Sequence, residues 1–213
     1  MAPEEPLKVV ALASGRGTNL QALIDRAGCA GAPFTLAGLV SDNPEALALK
    51  RAEQAGIPVC VVPRKDFASK AQFDDALAGA VESFGAQLVC LAGFMRILSP
   101  GFLQRFKGRV INIHPSLLPA FPGLNAQAQA LAHGVKVAGC TVHFVDEGVD
   151  TGPIISQAAV PVEKDDTVES LSARILAQEH VIYPGSVELI AKGEIAFPYP
   201  FHGKDDAEPE GGA

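Results

Sequence analysis

No cluster of lysine and arginine, no Cys-x-x-Cys pair and no apolar run of membrane-spanning length occurs in this 213-residue chain, and each absence removes a class of function. Acidic residues outnumber basic ones, 24 to 17, for a formal charge of −7. Proteins that wrap nucleic acid concentrate positive charge along the backbone they neutralise, so nucleic acid is not an expected partner. The four cysteines, Cys29, Cys60, Cys90 and Cys140, lie far apart, three of them in or beside apolar runs. That spacing argues against zinc and for reduced thiols in a cytoplasmic protein. The opening Met-Ala-Pro-Glu-Glu-Pro is acidic and lacks the apolar core of a secretion signal. No membrane partner is expected.

Several catalytic signatures are missing as well. Gly15-Arg16-Gly17 follows an apolar run, but Leu20 stands where a dinucleotide fingerprint wants its third glycine, which counts against a nicotinamide dehydrogenase. There is no Gly-Lys-Ser/Thr of a P-loop and no serine or cysteine in the setting of a nucleophile elbow. The acidic loop Asp146-Glu147-Gly148-Val149-Asp150-Thr151-Gly152 lacks the alternating ligands of an EF-hand. No metal is expected.

What is present is an apolar chain, 48% hydrophobic and 19% charged, long enough for one α/β domain. Apolar runs at Leu7 to Ala13, Phe34 to Ser41, Ile57 to Val62, Gln87 to Ala92 and Val110 to Ile113 read as strands. Helical stretches at Leu20 to Ala27, Glu45 to Ala55 and Ser69 to Phe84 alternate with them, stopped by glycines. Alternation at this spacing predicts an α/β fold, a doubly wound, mostly parallel sheet flanked by helices. A short helix is expected from Ala126 to His133, followed by further strands at Val135 to Val145 and Ile154 to Val162. A capped helix is expected from Asp166 or Thr167, with Glu169 reaching back, interrupted at Tyr183-Pro184-Gly185. Residues 1–196 read as a single domain and 197–213 as a flexible tail.

The chemistry centres on Val110-Ile-Asn-Ile-His-Pro-Ser-Leu-Leu-Pro119. Asn112 lies inside an apolar strand and His114 at its end, where Pro115 stops further pairing. Ligands of open α/β sheets bind at that edge. The acidic loop ends in Asp150, within reach of His114 if the strand between them lies alongside. A carboxylate would fix the imidazole tautomer, and Asn112 could donate to an oxygen that becomes negative. An Asn–His–Asp trio without a nucleophile suits attack by a substrate amine, that is, acyl transfer between two bound substrates. Gly17, Thr18 and Asn19 open the first helix, where free N–H groups can receive a phosphate. Gly93 to Leu98 stay largely apolar after a strand, as a buried connection or as a wall for a flat aromatic ligand.

These stretches, with Ser14 to Leu20, Leu91 to Leu98, Val142 to Pro153 and Gln178-Glu179-His180, make the chain resemble the folate-dependent formyltransferases of the glycinamide ribonucleotide type. The likeness covers about residues 7 to 195. Related tRNA formyltransferases and formyltetrahydrofolate deformylases usually carry an extra domain for which this chain has no room.

The resemblance implies a Rossmann-like formyltransferase fold and transfer of a formyl group from 10-formyltetrahydrofolate to the amine of glycinamide ribonucleotide in purine biosynthesis. It implies catalytic roles for Asn112, His114 and Asp150. Gly17, Thr18, Asn19 and Glu179 would bind the ribonucleotide. Lys70, where the family commonly has Arg, would meet the acidic tail of the folate, with Arg64 as a second candidate. Met95, Arg96, Ile97 and Leu98, Asn112, and the segment Asp146, Glu147, Gly148, Val149 and Asp150 would hold the folate. No metal is implied, and the protein would be a monomer or a homodimer. A formyltetrahydrofolate hydrolase and an inactive ligand-binding relative are the alternatives. One departure stands out. After Pro122-Gly123-Leu124 relatives usually carry one or two histidines, and here Asn125-Ala126-Gln127-Ala128-Gln129 follows.

Overall fold

The computed structural model describes residues 5–201. Seven strands form one sheet: β1 (Leu7–Leu12), β2 (Phe34–Ser41), β3 (Val59–Val61), β4 (Leu88–Leu91), β5 (Val110–His114), β6 (Val137–Phe144) and β7 (Ile154–Pro161). Their order is β3-β2-β1-β4-β5-β6-β7. The first five run parallel, and β6 and β7 are each antiparallel to the strand before. The expected α/β architecture is thus present, with its antiparallel part confined to one edge.

Among the described residues six α-helices cover the two faces: α1 (Thr18–Ala27), α2 (Leu47–Gln54), α3 (Lys70–Ser83), α4 (Pro100–Arg105), α5 (Ala126–His133) and α6 (Val168–Ala191). Strand side chains alternate between faces, so Val9, Ala11, Ile111 and Val142 pack against α1, α2 and α6, while Val10, Leu12, Val89 and Val110 pack against α3 and α4. Asn112 is two residues beyond Val110 and shares its face.

Three local features differ from the sequence expectation. The last helix is continuous through Pro184. Proline removes one helical hydrogen bond, but Tyr183, Pro184, Val187 and Ile190 are buried, and that packing holds the helix together. Tyr183 fixes it to the sheet by donating its hydroxyl to the Leu91 carbonyl at 2.9 Å. At the start of α6 the reciprocal cap is made by Thr167 and Ser170, not by Glu169, because Ser170 stands three residues after the cap. The six-residue α4 was not expected. Its signals were Ser99, which caps it, and Pro100 in its first turn.

The described start of the expected tail lies against the domain. Phe197, Tyr199 and Phe201 pack on the core, and the Tyr199 N–H donates to the Gly108 carbonyl at 2.8 Å. The rest of that tail lies outside the described residues.

Candidate active site

The strand-to-helix turn after β1 is shaped by Gly17. Its φ is +69°, and a Cβ there would lie 2.7 Å from Ala48 Cα, so only glycine fits. No side chain caps α1 and no acidic residue lies in its first turn, which leaves its first N–H groups open to an anion. Asn19 is buried and donates Nδ2 to Glu179 Oε2 at 2.7 Å, joining residues 160 positions apart. Burial pushes the Glu179 carboxyl above the ordinary glutamate value, against the pull of the Asn19 amide. Asn19 Oδ1 is buried without a hydrogen-bond partner among the described residues.

The loop after β4 is stitched to this turn, since Ser14 donates its N–H to the Gly93 carbonyl and accepts the Met95 N–H at 3.0 Å. Met95 and Ile97 are 74% and 71% exposed, whereas Leu98 is buried. The segment is therefore an open apolar edge and not a buried connection. Arg96 gives Nε to the Asp42 carboxylate and lies 5.6 Å from the Phe73 ring centre. Arg64 lies on the same ring at 6.0 Å. Lys70 is paired with Asp74 one turn along α3, at 2.5 Å.

Asn112, His114 and Asp150 are brought together, and a fourth residue joins them. Antiparallel pairing places His143 directly opposite Asn112, and Nδ2 of the amide lies 3.3 Å from Nε2 of the ring. His143 Nδ1 faces the Phe144 carbonyl at 2.9 Å, so Nδ1 carries a proton and Nε2 can accept from Asn112. His143 was not among the expected site residues. Its signal was the alternation in β6, which put it on one face with Thr141.

The route of Asp150 into the site also differs from a simple loop at the end of a parallel strand. Because β6 runs against β5, the acidic loop leaves opposite Val110, where the Val145 N–H meets its carbonyl. It then folds back over the sheet. Asp146 Oδ1 accepts from Gly148 N–H at 3.1 Å and from Thr151 Oγ1 at 2.7 Å, closing the turn. Glu147, Gly148 and Val149 are exposed. Asp150 has φ +55°, an uncommon backbone state for a residue with a side chain. Its carboxylate lies 3.3 Å from His114 Nδ1 and 3.6 Å from His143 Nε2, and accepts the Gly123 N–H at 2.8 Å. Burial alone would raise the Asp150 carboxyl. The neighbouring His143 ring, the hydrogen bond from the Gly123 N–H and the charge of His114 outweigh it and hold the group below the ordinary aspartate value.

His114 is buried, and its Nε2 lies 2.9 Å from the Phe121 carbonyl. A carbonyl can only accept, so Nε2 carries the proton and Nδ1 is the nitrogen left to work beside Asp150. Among the described residues, no group of three or more His, Cys, Asp or Glu is arranged to hold a metal ion. No helix among them is long and apolar enough to cross a membrane.

A mostly parallel sheet with Asn112, His114 and Asp150 gathered at the end of β5 fits a group-transfer enzyme. The sequence matches the model of the formyl transferase family across residues 7–187, and the chain belongs to that family. Within it the chain belongs with the phosphoribosylglycinamide formyltransferases. The one from Haemophilus influenzae is 43% identical over 188 residues, covering 88% of this chain and 89% of that protein. A crystal structure of glycinamide ribonucleotide transformylase 1 from Symbiobacterium toebii superposes with a TM-score of 0.88 at 51% identity, covering 92% of both chains. The trifunctional purine biosynthetic protein adenosine-3 of Drosophila melanogaster is 50% identical over 188 residues. The chain spans 87% of its own length in that match and 14% of the relative's.

Proposed function

We propose that the protein transfers the formyl group of 10-formyltetrahydrofolate to the amine of glycinamide ribonucleotide, as a step of purine biosynthesis. The observation that carries this reading is the Asp150 carboxylate set between His114 Nδ1 and His143 Nε2, beside Asn112.

The substrate amine attacks the formyl carbon, and the carbonyl oxygen becomes an oxyanion. Asn112 donates to that oxygen, and its contact with His143 fixes the amide. His114 Nδ1 takes up the proton that the amine must lose, and Asp150 stabilises the resulting imidazolium. The proton then passes to the folate nitrogen as its bond to carbon breaks. Tetrahydrofolate leaves and the formyl group stays on the ribonucleotide amine.

Binding roles follow from the surroundings. The open N-terminus of α1, at Gly17, Thr18 and Asn19, suits the ribonucleotide phosphate, and Glu179 its ribose or amine. The apolar edge of Met95, Ile97 and Leu98 and the backbone of Asp146 to Asp150 suit a flat pterin. Arg96 and Arg64 share the Phe73 ring, and with Lys70 at the start of α3 they are the cations proposed for the acidic tail.

The test is an assay of the purified protein with 10-formyltetrahydrofolate, with and without glycinamide ribonucleotide, following tetrahydrofolate and free formate. Tetrahydrofolate without formate, formed only when the ribonucleotide is present, is the expected result. Formate released without the ribonucleotide would make it a hydrolase instead. No turnover by folded protein would leave a ligand-binding relative.

A further inference from the structure

We infer that Gln129 is a positioning residue, which fastens the loop that orients both His114 and Asp150. The inference rests on the catalytic roles proposed above and extends them to a side chain that touches neither substrate nor the catalytic pair.

The loop between β5 and α5 makes two contacts with the pair. The Phe121 carbonyl accepts from His114 Nε2 at 2.9 Å, and the Gly123 N–H donates to Asp150 Oδ2 at 2.8 Å. The first contact selects the tautomer that leaves Nδ1 free. The second keeps the carboxylate charged and aimed.

The backbone that presents these groups does not hold this shape by itself. Phe121, Gly123 and Asn125 have φ of +54°, +77° and +58°, so three left-handed residues fall within five, and two of them carry side chains. Such residues persist only where their surroundings over-determine them. At its start the loop is tied to the sheet, since Thr141 Oγ1 donates to the Ser116 carbonyl and accepts the Leu118 N–H. At its far end, apart from the contacts of the catalytic pair themselves, the side-chain tie among the described residues is Gln129. Its Nε2 donates to the Leu124 carbonyl at 2.9 Å and approaches the Pro122 carbonyl at 3.5 Å. These two carbonyls flank Gly123. The Gln129 carbonyl in turn faces His133 Nδ1 at 2.9 Å, and the His133 ring lies 5.1 Å from that of Phe121. Asn125, by contrast, precedes α5 without making a side-chain cap. So one amide spans the loop and sets the depth at which Phe121 and Gly123 meet the catalytic pair.

The experiment compares the wild type with Gln129→Met and Gln129→Glu. Methionine keeps the length and apolar packing without a donor, and glutamate places an acceptor against two carbonyls. Three groups face Asp150 and set its titration: His114 from β5, His143 from β6 and the Gly123 N–H from the loop. Both variants should lower kcat by about fivefold to tenfold, the factor carried by one ordinary hydrogen bond, with both KM values within about twofold of wild type. Carbon-13 NMR of the Asp150 carboxyl should show its titration moving to higher pH in each variant, because the Gly123 donor is no longer held. Unchanged kcat, or a lower kcat with the Asp150 titration unmoved, would overturn the inference. A wild type that transfers no formyl group would remove the function proposed above, and the Asp150 titration would still decide the link to Gln129.

Discussion

Asn112 and His143 face each other across the antiparallel pair of β5 and β6, with the amide Nδ2 at 3.3 Å from the imidazole Nε2. The pairing gives the amide a fixed partner on the strand next to its own. It also puts a second histidine 3.6 Å from Asp150, so the carboxylate is supported from two strands and a loop. A carboxylate held this way stays charged where an unsupported one would begin to take up protons.

His143→Phe removes the partner of Asn112 and the imidazole that lies 3.6 Å from Asp150. The expected result is a kcat about tenfold to a hundredfold lower, with a rise in the pH at which the acid limb of the profile falls. In a double-mutant cycle with Asn112→Ala, the two losses should be smaller together than their sum. Additive losses would show that the contact carries no coupling.

His114→Ala and Asp150→Asn should each lower kcat by on the order of 10²–10⁴, with modest changes in KM. Steady-state kinetics on the two variants checks this, and a loss confined to KM would mark them as binding groups. Asp150 also leaves a trace in stability. Its folded value lies below the ordinary 3.8, so its contribution is complete above that pH and is lost as pH falls through the folded value. Acid melting of Asp150→Asn should lack that component.

Glu179 behaves in the opposite sense. Burial raises its folded value above the ordinary 4.5, so the unfolded chain holds fewer protons and stability falls as pH rises between the two. Glutamine can still accept from Asn19. Glu179→Gln should therefore melt higher than wild type at pH 8, with the gap closing below pH 4.5, and should raise KM for the ribonucleotide about tenfold. Melting curves at several pH values and one kinetic series test both parts.

Lys70 and Arg96 should differ as partners of an acidic folate tail. The single ammonium of Lys70 is already engaged by Asp74. Arg96 is held at Nε by Asp42, which leaves its terminal nitrogens free for a carboxylate. Lys70→Ala should change KM for the formyl donor less than about threefold, and Arg96→Ala about tenfold or more. Equal effects, or a larger one for Lys70→Ala, would overturn this ranking.

Some of this was written in local sequence. The β–α alternation from Leu7 to Val110, the Gly17 turn and the placement of Asn112 and His114 at one strand end follow from period, glycine and proline. Each depends on residues within a few positions of one another. The continuity of α6 through Pro184 did not, because buried contacts of Tyr183 and Val187 with distant elements outweigh a local break. The joining of Asn19 to Glu179 and the arrival of His143 opposite Asn112 were likewise settled in space. Strand order and register place side chains from different elements within hydrogen-bonding distance. A one-residue slip of β6 would turn His143 to the other face of the sheet. The sequence alone determined which groups are available for chemistry. The tertiary structure decided which nitrogen of His114 is free, because that depends on the Phe121 carbonyl, held at 2.9 Å by a loop whose shape no local pattern specifies.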